Sequence, residues 1–251
     1  MAAETDEEEK SFHLLAFLHQ DETQELPSEQ REQHHHHLNS IAAALSIRQL
    51  RSQGLSFQLW PAANSLVALL DSDPQTLLPL KSTHSPPLRI LELGSGTGLV
   101  GIAAAAILGA RVTLTDLPHV LPNLRFNAES NADIITSRGG SVEVHQLRWG
   151  ERPDAEALGG AAAFDAILAS DVVYYEDLVD PLLETLRWFV NADVVFVMAH
   201  LRRWKKRDAA FFRKARKVFE VLLVHTDAPL PGSRLGVAIY RFKAKKTAAK
   251  S

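Results

Sequence analysis

The stretch "RILELGSGTGLVGIAAAAILGA", residues 89–110, sets glycines at 94, 96 and 98 between an apolar strand-like run and an alanine-rich, helix-like run. Glycine supplies backbone dihedrals that other residues avoid, and it lets a ligand come close to the main chain. A strand, a glycine-rich turn and a helix in succession make the nucleotide-binding corner of an open α/β sheet. The stretch therefore predicts such a sheet and a ligand that carries a nucleoside. It does not say which one.

Working outward, strand and helix patterns alternate. "LRILEL" is short, apolar and bounded by "SPP" and Gly94, as a buried strand is. "GLVGIAAAAIL" is a helix closed by Gly109, and "RVTLTD" a second strand. "HVLPNLRFNAES" follows as a helix with Pro122 in its first turn, where proline is tolerated. "SVEVHQL", "FDAILASD" and "ADVVFVMAH" continue as strands, with the helix "EDLVDPLLETLRWFV" before the last of these. The helix "RDAAFFRKARKVF" precedes "VLLVHT" and "LGVAIYRF", two strands with only the turn-like "DAPLPGS" between them. This predicts a Rossmann-like, doubly wound α/β sheet of seven strands, mostly parallel, with an antiparallel C-terminal hairpin at one edge. Upstream, "LNSIAAALSIRQL" and "LSFQLW" read as a small added strand pair around "RSQG". "PAANSLVALL" reads as a helix opened by proline, and residues 71–87 as a loop.

The chain has 251 residues, 46% of them hydrophobic, with a formal net charge of −3. That suits one large globular domain. With no cysteine, disulfides, thiolate metal sites and cysteine nucleophiles are excluded. The start, "MAAETDEEEK", is acidic and lacks the basic-then-apolar layout of a secretory signal. No apolar run reaches the ~18 residues of a membrane span. The expectation is an intracellular protein, in cytoplasm or nucleus, away from membranes and acting as a monomer. Residues 1–30 read as an acidic, partly disordered segment, 31–242 as the folded domain, and 243–251 as a basic flexible tail.

Two tracts invite sharper readings. The basic stretch "RRWKKRDAAFFRKARK", 202–217, is either a solvated helix face or a docking surface for an acidic partner. The run His34, His35, His36 and His37 resembles a metal tract. Successive side chains of an extended segment point to opposite faces, so the four cannot converge on one ion. No metal centre is expected.

The glycines fit two registers. Gly96-Thr97-Gly98-Leu99-Val100-Gly101 matches the dinucleotide pattern G-x-G-x-x-G, while Glu92 followed by Gly94, Gly96 and Gly98 matches an acidic residue before G-x-G-x-G. Asp116, about 20 residues on, ends the second strand. A carboxylate there accepts from both hydroxyls of a ribose in either case. Ligand charge separates the readings. A pyrophosphate wants donors at a helix N-terminus. A sulfonium and an ammonium favour acidic, aromatic and carbonyl-rich walls. This corner offers Glu92, Asp116, Trp60, Trp149 and Asp171, and no lysine or arginine lies within 92–110.

In order along the chain, "LWPAA", "LELGSGTGLVGI", "VTLTDLPHVLPNLRFN", "LRWG" and "ASDVVYYED" resemble the family 16 seven-β-strand methyltransferases, the methyltransferase-like protein-lysine methyltransferases. The resemblance covers roughly residues 40–242. It implies S-adenosyl-L-methionine as cofactor and a lysine side chain of a protein substrate as acceptor. Carried over by position, Trp60 matches the tryptophan that borders the cofactor. Gly94, Ser95 and Gly96 match the turn beneath its methionine and ribose parts. Asp116 matches the ribose acid and Trp149 the tryptophan beside adenine. Glu92 and Gly98 of the glycine motif and Leu117 beside Asp116 join this set. Ser170 stands where the family often has alanine, just before the D-x-x-Y motif. Asp171 and Tyr174 match that motif and are the candidate catalytic pair, the acid orienting the lysine amine and the ring shaping its entry.

A nucleic-acid amino-methyltransferase is the first alternative. Such enzymes carry [DNS]-P-P-[YFW] after the fourth strand, where the aromatic stacks a flipped base. Here Val172 and Val173 stand in place of both prolines, and nucleic acid is set aside as the partner. The second alternative is a cofactor-binding interaction protein without catalysis.

Overall fold

The computed structural model describes residues 32–80, 86–203, 205–229 and 236–245. The acidic segment 1–30 and residues 246–251 of the basic tail lie outside the described residues.

The chain opens with an antiparallel pair, β1 (Glu32–Leu38) and β2 (Ala43–Gln49), in which Leu38 faces Ala43 and Glu32 faces Gln49. The sequence reading paired the second of these segments with "LSFQLW" instead. That stretch is a short 3-10 turn, Leu55–Phe57, entered through Gly54 at φ 117°. The true partner is the histidine tract. Its chain reversal rests on Ala42 at φ 50° and on Asp71, whose carboxylate accepts the amides of Asn39 and Ser40. His34 to His37 therefore lie along β1 on alternating faces.

The helices and remaining strands follow. They are α1 (Pro61–Ser72), α2 (Pro74–Leu77), β3 (Arg89–Leu93), α3 (Leu99–Leu108), β4 (Arg111–Asp116), α4 (Leu121–Ser130), α5 (Ala132–Ser137), β5 (Ser141–Gln146), α6 (Arg152–Ala157), β6 (Ala166–Ser170), α7 (Val179–Phe189), β7 (Val195–Leu201), α8 (Lys205–Val218), β8 (Phe219–Thr226) and β9 (Val237–Ala244). Part of the expected 71–87 loop is helical, because Asp73 accepts the Thr76 amide and caps α2. The single-turn helices α5 and α6 are too short to show an amphipathic period and escaped the sequence reading.

Among the described residues the main sheet has seven strands in the order β5-β4-β3-β6-β7-β9-β8. β3 to β7 are parallel, and β9 runs antiparallel between β7 and β8. The expected edge hairpin is thus present, with its second strand inserted against β7. Apolar side chains alternate across the sheet, as a period of two requires. Ile90, Val112 and Leu168 join the core beneath α1 and α3, while Leu91, Ile167, Phe196 and Met198 join the core beneath α7 and α8. No helix among the described residues is long and apolar enough to cross a membrane.

Helix α3 lies unusually close to the sheet. Ala103 to Ala106 are fully buried, and a Cβ at Gly101 would come within 2.2 Å of Leu114 and 2.6 Å of the Glu92 carboxylate. The small residues of "GLVGIAAAAIL" thus fix the distance between the helix and the strands. They also fix where the glycine turn meets the edge.

A ladder of asparagines ties β2 to this core. Asn123, Asn127 and Asn131 stand on one face of α4 at a spacing of four. The Asn127 amide accepts from Arg48 N at 2.8 Å and donates to Arg48 O at 3.1 Å. Asn131 does the same to Ser46, at 2.9 Å in each direction. Side-chain amides on a helix thereby stand in for a neighbouring strand along β2.

Candidate active site

The carboxyl ends of β3, β4 and β6 form one edge, at the point where strand order reverses between β3 and β6. In sheets of this kind ligands bind there. Gly94, Gly96 and Gly98 all have left-handed backbones, at φ 61°, 54° and 84°. This explains why no side chain interrupts the alternation. The turn is bonded to the end of β4. Ser95 N donates to Thr115 O at 2.9 Å, and Thr115 N donates to the Ser95 hydroxyl at 3.1 Å. Asp116 completes the tie, taking Gly96 N on Oδ2 and Leu117 N on Oδ1, each at 2.7 Å. A carboxylate has about four acceptor sites, so two remain for ligand hydroxyls. Burial, partly offset by those two amide bonds, pushes the Asp116 carboxyl above its ordinary range.

Glu92 sits beneath the turn, fully buried. Its Oε2 accepts the Gly101 amide at 3.0 Å, in the first turn of α3. Burial pushes its carboxyl up to about 8, against the bonds from Ser95 and Gly101 and with the Asp116 charge adding to the rise. Its contacts among the described residues are with the helix start and the turn.

Of the two expected tryptophans, one lies against the glycines and the other holds the turn at Leu55. Trp149 lies against Gly94: a Cβ there would meet its Cζ2 at 3.0 Å and Val172 at 3.2 Å. The loop that carries it is held by Gly150 N on the Thr185 hydroxyl and by Arg148 on Asp154. Trp60, at the entry to α1, donates its indole N–H to Leu55 O at 2.9 Å. The Arg203 guanidinium stands 5.1 Å from its ring centre. The turn that includes Leu55 was expected to be a strand. Instead its Ser56 carbonyl lies 3.0 Å from where a Gly96 Cβ would be. Ser56 went unnoticed in the sequence because a backbone carbonyl carries no side-chain signal. Leu117 is exposed beside Asp116.

After Ser170, Asp171 takes a left-handed backbone at φ 55°. Its amide donates to Ala199 O, its Oδ1 accepts Leu201 N and its Oδ2 accepts Arg203 Nη2, each at 2.9 Å. Burial alone would raise this carboxyl. The His200 and Arg203 contacts and the Leu201 amide outweigh it and hold the group below the usual range. Each oxygen of the acid expected to orient an amine thus accepts a protein donor, as each oxygen of Asp116 does. Val172 and Val173 are buried, and Tyr174 follows, half-buried, with its ring edge-on to exposed Tyr175 at 5.0 Å. Burial first, then the charges of Asp116, Tyr175 and Asp177, push the Tyr174 phenol up to about 12. The phenol is therefore neutral, and the Asp116 charge at the end of β4 acts on it.

The basic stretch serves this turn. Arg203 grips Asp171, Arg207 donates to Tyr174 O at 2.6 Å, and Lys214 pairs with Asp180. Several of its cations are thus structural, in addition to the solvated ones such as Lys206 and Lys217. His200 beneath the turn was overlooked. Its signal was a titratable residue near the end of an otherwise apolar strand, "VFVMAHL".

Residues 40–218 match the family model described as lysine methyltransferase. The chain belongs to the lysine methyltransferase family. Among its relatives, the Protein N-lysine methyltransferase METTL21A of Danio rerio is 39% identical over 159 residues, 63% of this chain and 67% of that one. The Protein-lysine N-methyltransferase rrg1 of Schizosaccharomyces pombe is 31% identical over 179 residues, 70% of this chain and 56% of that one. Among solved structures, a predicted O-methyltransferase from Agrobacterium tumefaciens superposes with a TM-score of 0.52 at 22% identity, covering 75% of this chain and 82% of that one, which speaks to the fold alone.

The methyltransferase draws its methyl group from S-adenosylmethionine, and the corner suits that cofactor. Three bare left-handed glycines, the spare acceptor sites of Asp116 and the Trp149 indole against Gly94 suit a nucleoside ligand. The absence of lysine and arginine from 92–110 does not suit a pyrophosphate.

Proposed function

We propose that this methyltransferase acts on the side-chain amine of a lysine in a protein substrate, which is what the names of METTL21A and rrg1 state for those relatives. The observation that carries the reading is the Asp171–Tyr174 turn, which follows β6 at the carboxyl edge of the sheet and carries a half-buried, neutral phenol. Val172 and Val173 stand where nucleic-acid amino-methyltransferases carry their proline pair.

When bound, S-adenosylmethionine supplies a methyl group activated by a sulfonium. In this reading Asp116 accepts from the ribose hydroxyls, and the backbone of Gly94, Ser95 and Gly96 lies beneath the ligand. Gly98 shapes the turn, and Glu92 supports it from below. Trp149 and Leu117 border the adenine, while Trp60 and Ser170 border the methionine end. Tyr174 is the catalytic residue of the acceptor side, walling a narrow entry that admits an extended side chain and little water. A lysine, whose free pKa is near ~10.4, must arrive neutral. Desolvation beside a cationic ligand favours loss of its proton, so no strong base is required. Alignment then supplies the rate. Asp171 acts through the turn that it locks. The protein works as a monomer on a protein partner, in cytoplasm or nucleus, with the acidic segment 1–30 outside the catalytic domain; the tail expected from 243 begins inside β9, which runs to Ala244.

Incubation with radiolabelled cofactor and a cell lysate tests this. A labelled protein band, resistant to nuclease and yielding methyl-lysine on hydrolysis, is the expected result. Label that nuclease removes would transfer the assignment to nucleic acid.

A further inference from the structure

Asp171 is one of two described non-glycine residues with a left-handed backbone, Ala42 being the other. Such a backbone costs of order 1 kcal/mol or more and persists only where the surroundings over-determine it. Here the surroundings are the end of β7. Ala199 O, Leu201 N and Arg203 hold the amide and both carboxylate oxygens. Between Ala199 and Leu201 stands His200, with no exposed surface. Its Nδ1 lies 3.6 Å from Asp171 Oδ1 and its Nε2 lies 3.1 Å from Asp208 Oδ1.

Charge balance decides what the ring must be. Two buried carboxylates face the Arg203 guanidinium and this imidazole. Set between two buried carboxylates, the ring is favoured in its imidazolium form, which attracts both. Neither ring nitrogen, nor Asp208 Oδ1, makes a well-aligned hydrogen bond. Both ring nitrogens nonetheless meet a carboxylate, the Asp208 contact being the shorter. Burial lowers the imidazole pKa, but the two carboxylates outweigh it and raise it above the ordinary value. The other groups that face this site do not titrate near neutrality. From α8, Phe212 lies edge-on to the ring at 6.4 Å. From β9 comes Tyr240, whose phenol is raised by burial against the opposing charges of Arg202 and Arg216, with Asp208 adding to the rise.

Helix α8 joins the two ends of this arrangement. Arg207 binds the Tyr174 carbonyl, and the next residue, Asp208, meets His200. We propose that His200 is a positioning residue for methyl transfer: wedged between Asp171 and Asp208, it locks the Asp171–Tyr174 turn in the conformation that presents Tyr174 at the cofactor edge. The inference rests on the lysine-methylation reading of that edge. Loss of the ring proton as pH rises unlocks the turn, so the rate falls on the alkaline side even as the lysine acceptor becomes more available.

The test uses the full chain, His200→Gln and Asp208→Asn. Single-turnover methylation is followed from pH ~6 to ~10, alongside nitrogen-detected NMR titration of the His200 ring. The wild type is expected to show an imidazolium at neutral pH and an alkaline decline in rate. Asp208→Asn keeps the ring but removes one carboxylate, so both the ring titration and the decline should move to lower pH. His200→Gln should lose the decline and cut the rate about tenfold or more, with S-adenosylhomocysteine affinity within about threefold. A merely structural histidine would not shift a rate profile in step with its own titration. A neutral ring at neutral pH in the wild type overturns the proposal without any substrate. So does a decline that stays where it was in Asp208→Asn, which decides the matter even if His200→Gln does not fold. Failure to methylate any lysine, with the ring charged as expected, would instead overturn the reading on which the proposal rests.

Discussion

The carboxylate of Asp116 accepts the amide of Gly96 across 20 residues of sequence, at 2.7 Å. The acid expected to bind the ligand therefore also holds the turn on which the ligand lies. Asp116→Ala removes acceptors for ribose hydroxyls and frees the Gly96 and Leu117 amides. Hydrogen bonds to charged acceptors contribute roughly 1.5–3 kcal/mol each. S-adenosylhomocysteine should bind at least tenfold more weakly in a calorimetric titration. Asp116→Asn keeps an acceptor for one amide and should fall between. Hydrogen exchange at Gly96 should speed up in the alanine variant, and near-normal affinity there would mean that the ribose lies elsewhere.

Asn127 should matter to stability more than an ordinary helix asparagine. It is fully buried, bonds both backbone groups of Arg48, and donates to Thr97 O at 2.9 Å within the glycine turn. Asn127→Ala orphans buried backbone groups, at roughly 1–3 kcal/mol each. Urea unfolding should show a loss of about 3 kcal/mol or more, and the Arg48 amide should lose exchange protection. Asn127→Asp, which cannot donate to either carbonyl, should fare no better.

How much of this was legible follows from range. The glycine turn could be read because its three left-handed residues fall at 94, 96 and 98, and Asp116 because it closes the very next strand. The parallel sheet followed from apolar runs long enough to show their period. The partner of β2 was misread because nothing local selects it. "LSFQLW" and the histidine tract are both adjacent and both tolerate extension, and the choice falls to Ala42, Asp71 and the asparagines of α4. The asparagines at 123, 127 and 131 were a usable signal, since a residue type that disfavours helix interiors recurred every fourth position. Asp171 was found, but its bonds to β7 and Arg203 come from 30 and 32 residues away and no pattern announces them. Close approach of a ligand to bare backbone leaves no space for side chains at Gly96. The Ser56 carbonyl at 3.0 Å excludes them too, so a Gly96→Val variant disturbs the protein before it meets a ligand.

Glu92 should tie stability to pH. Its pKa rises from an ordinary 4.5 to about 8 in the fold because burial penalises the charge. The folded protein thus holds this proton more tightly than the unfolded chain. The resulting stabilisation is complete below about 4.5 and is lost as pH climbs through about 8. Glu92→Gln resembles the protonated form, accepts from Gly101 and does not titrate. Urea unfolding at acid and at alkaline pH should show the wild type losing more stability than the variant, by on the order of a few kcal/mol. The variant should be the more stable protein above pH ~9. Parallel losses in both would mean that Glu92 is already ionised inside the fold.

Tyr174 should separate chemistry from cofactor binding. Its backbone is held independently of its side chain, through the Arg207 bond to its carbonyl and the locked Asp171 before it. Removing the ring should therefore open the acceptor channel without moving the turn. Its phenol, pushed up to about 12, stays neutral through any practical assay and contributes shape rather than a titrating charge. Tyr174→Phe keeps the wall and should cost less than about tenfold in single-turnover rate. Tyr174→Ala admits water and lets the amine wander, and should cost about a hundredfold, or ~2.7 kcal/mol of transition-state stabilisation. S-adenosylhomocysteine affinity should change by less than about tenfold in both. The measurement pairs the rate with a direct binding titration on each variant. Equal losses in the phenylalanine and alanine variants would assign the work to the hydroxyl, and a wild-type rate in Tyr174→Ala would remove this ring from the channel.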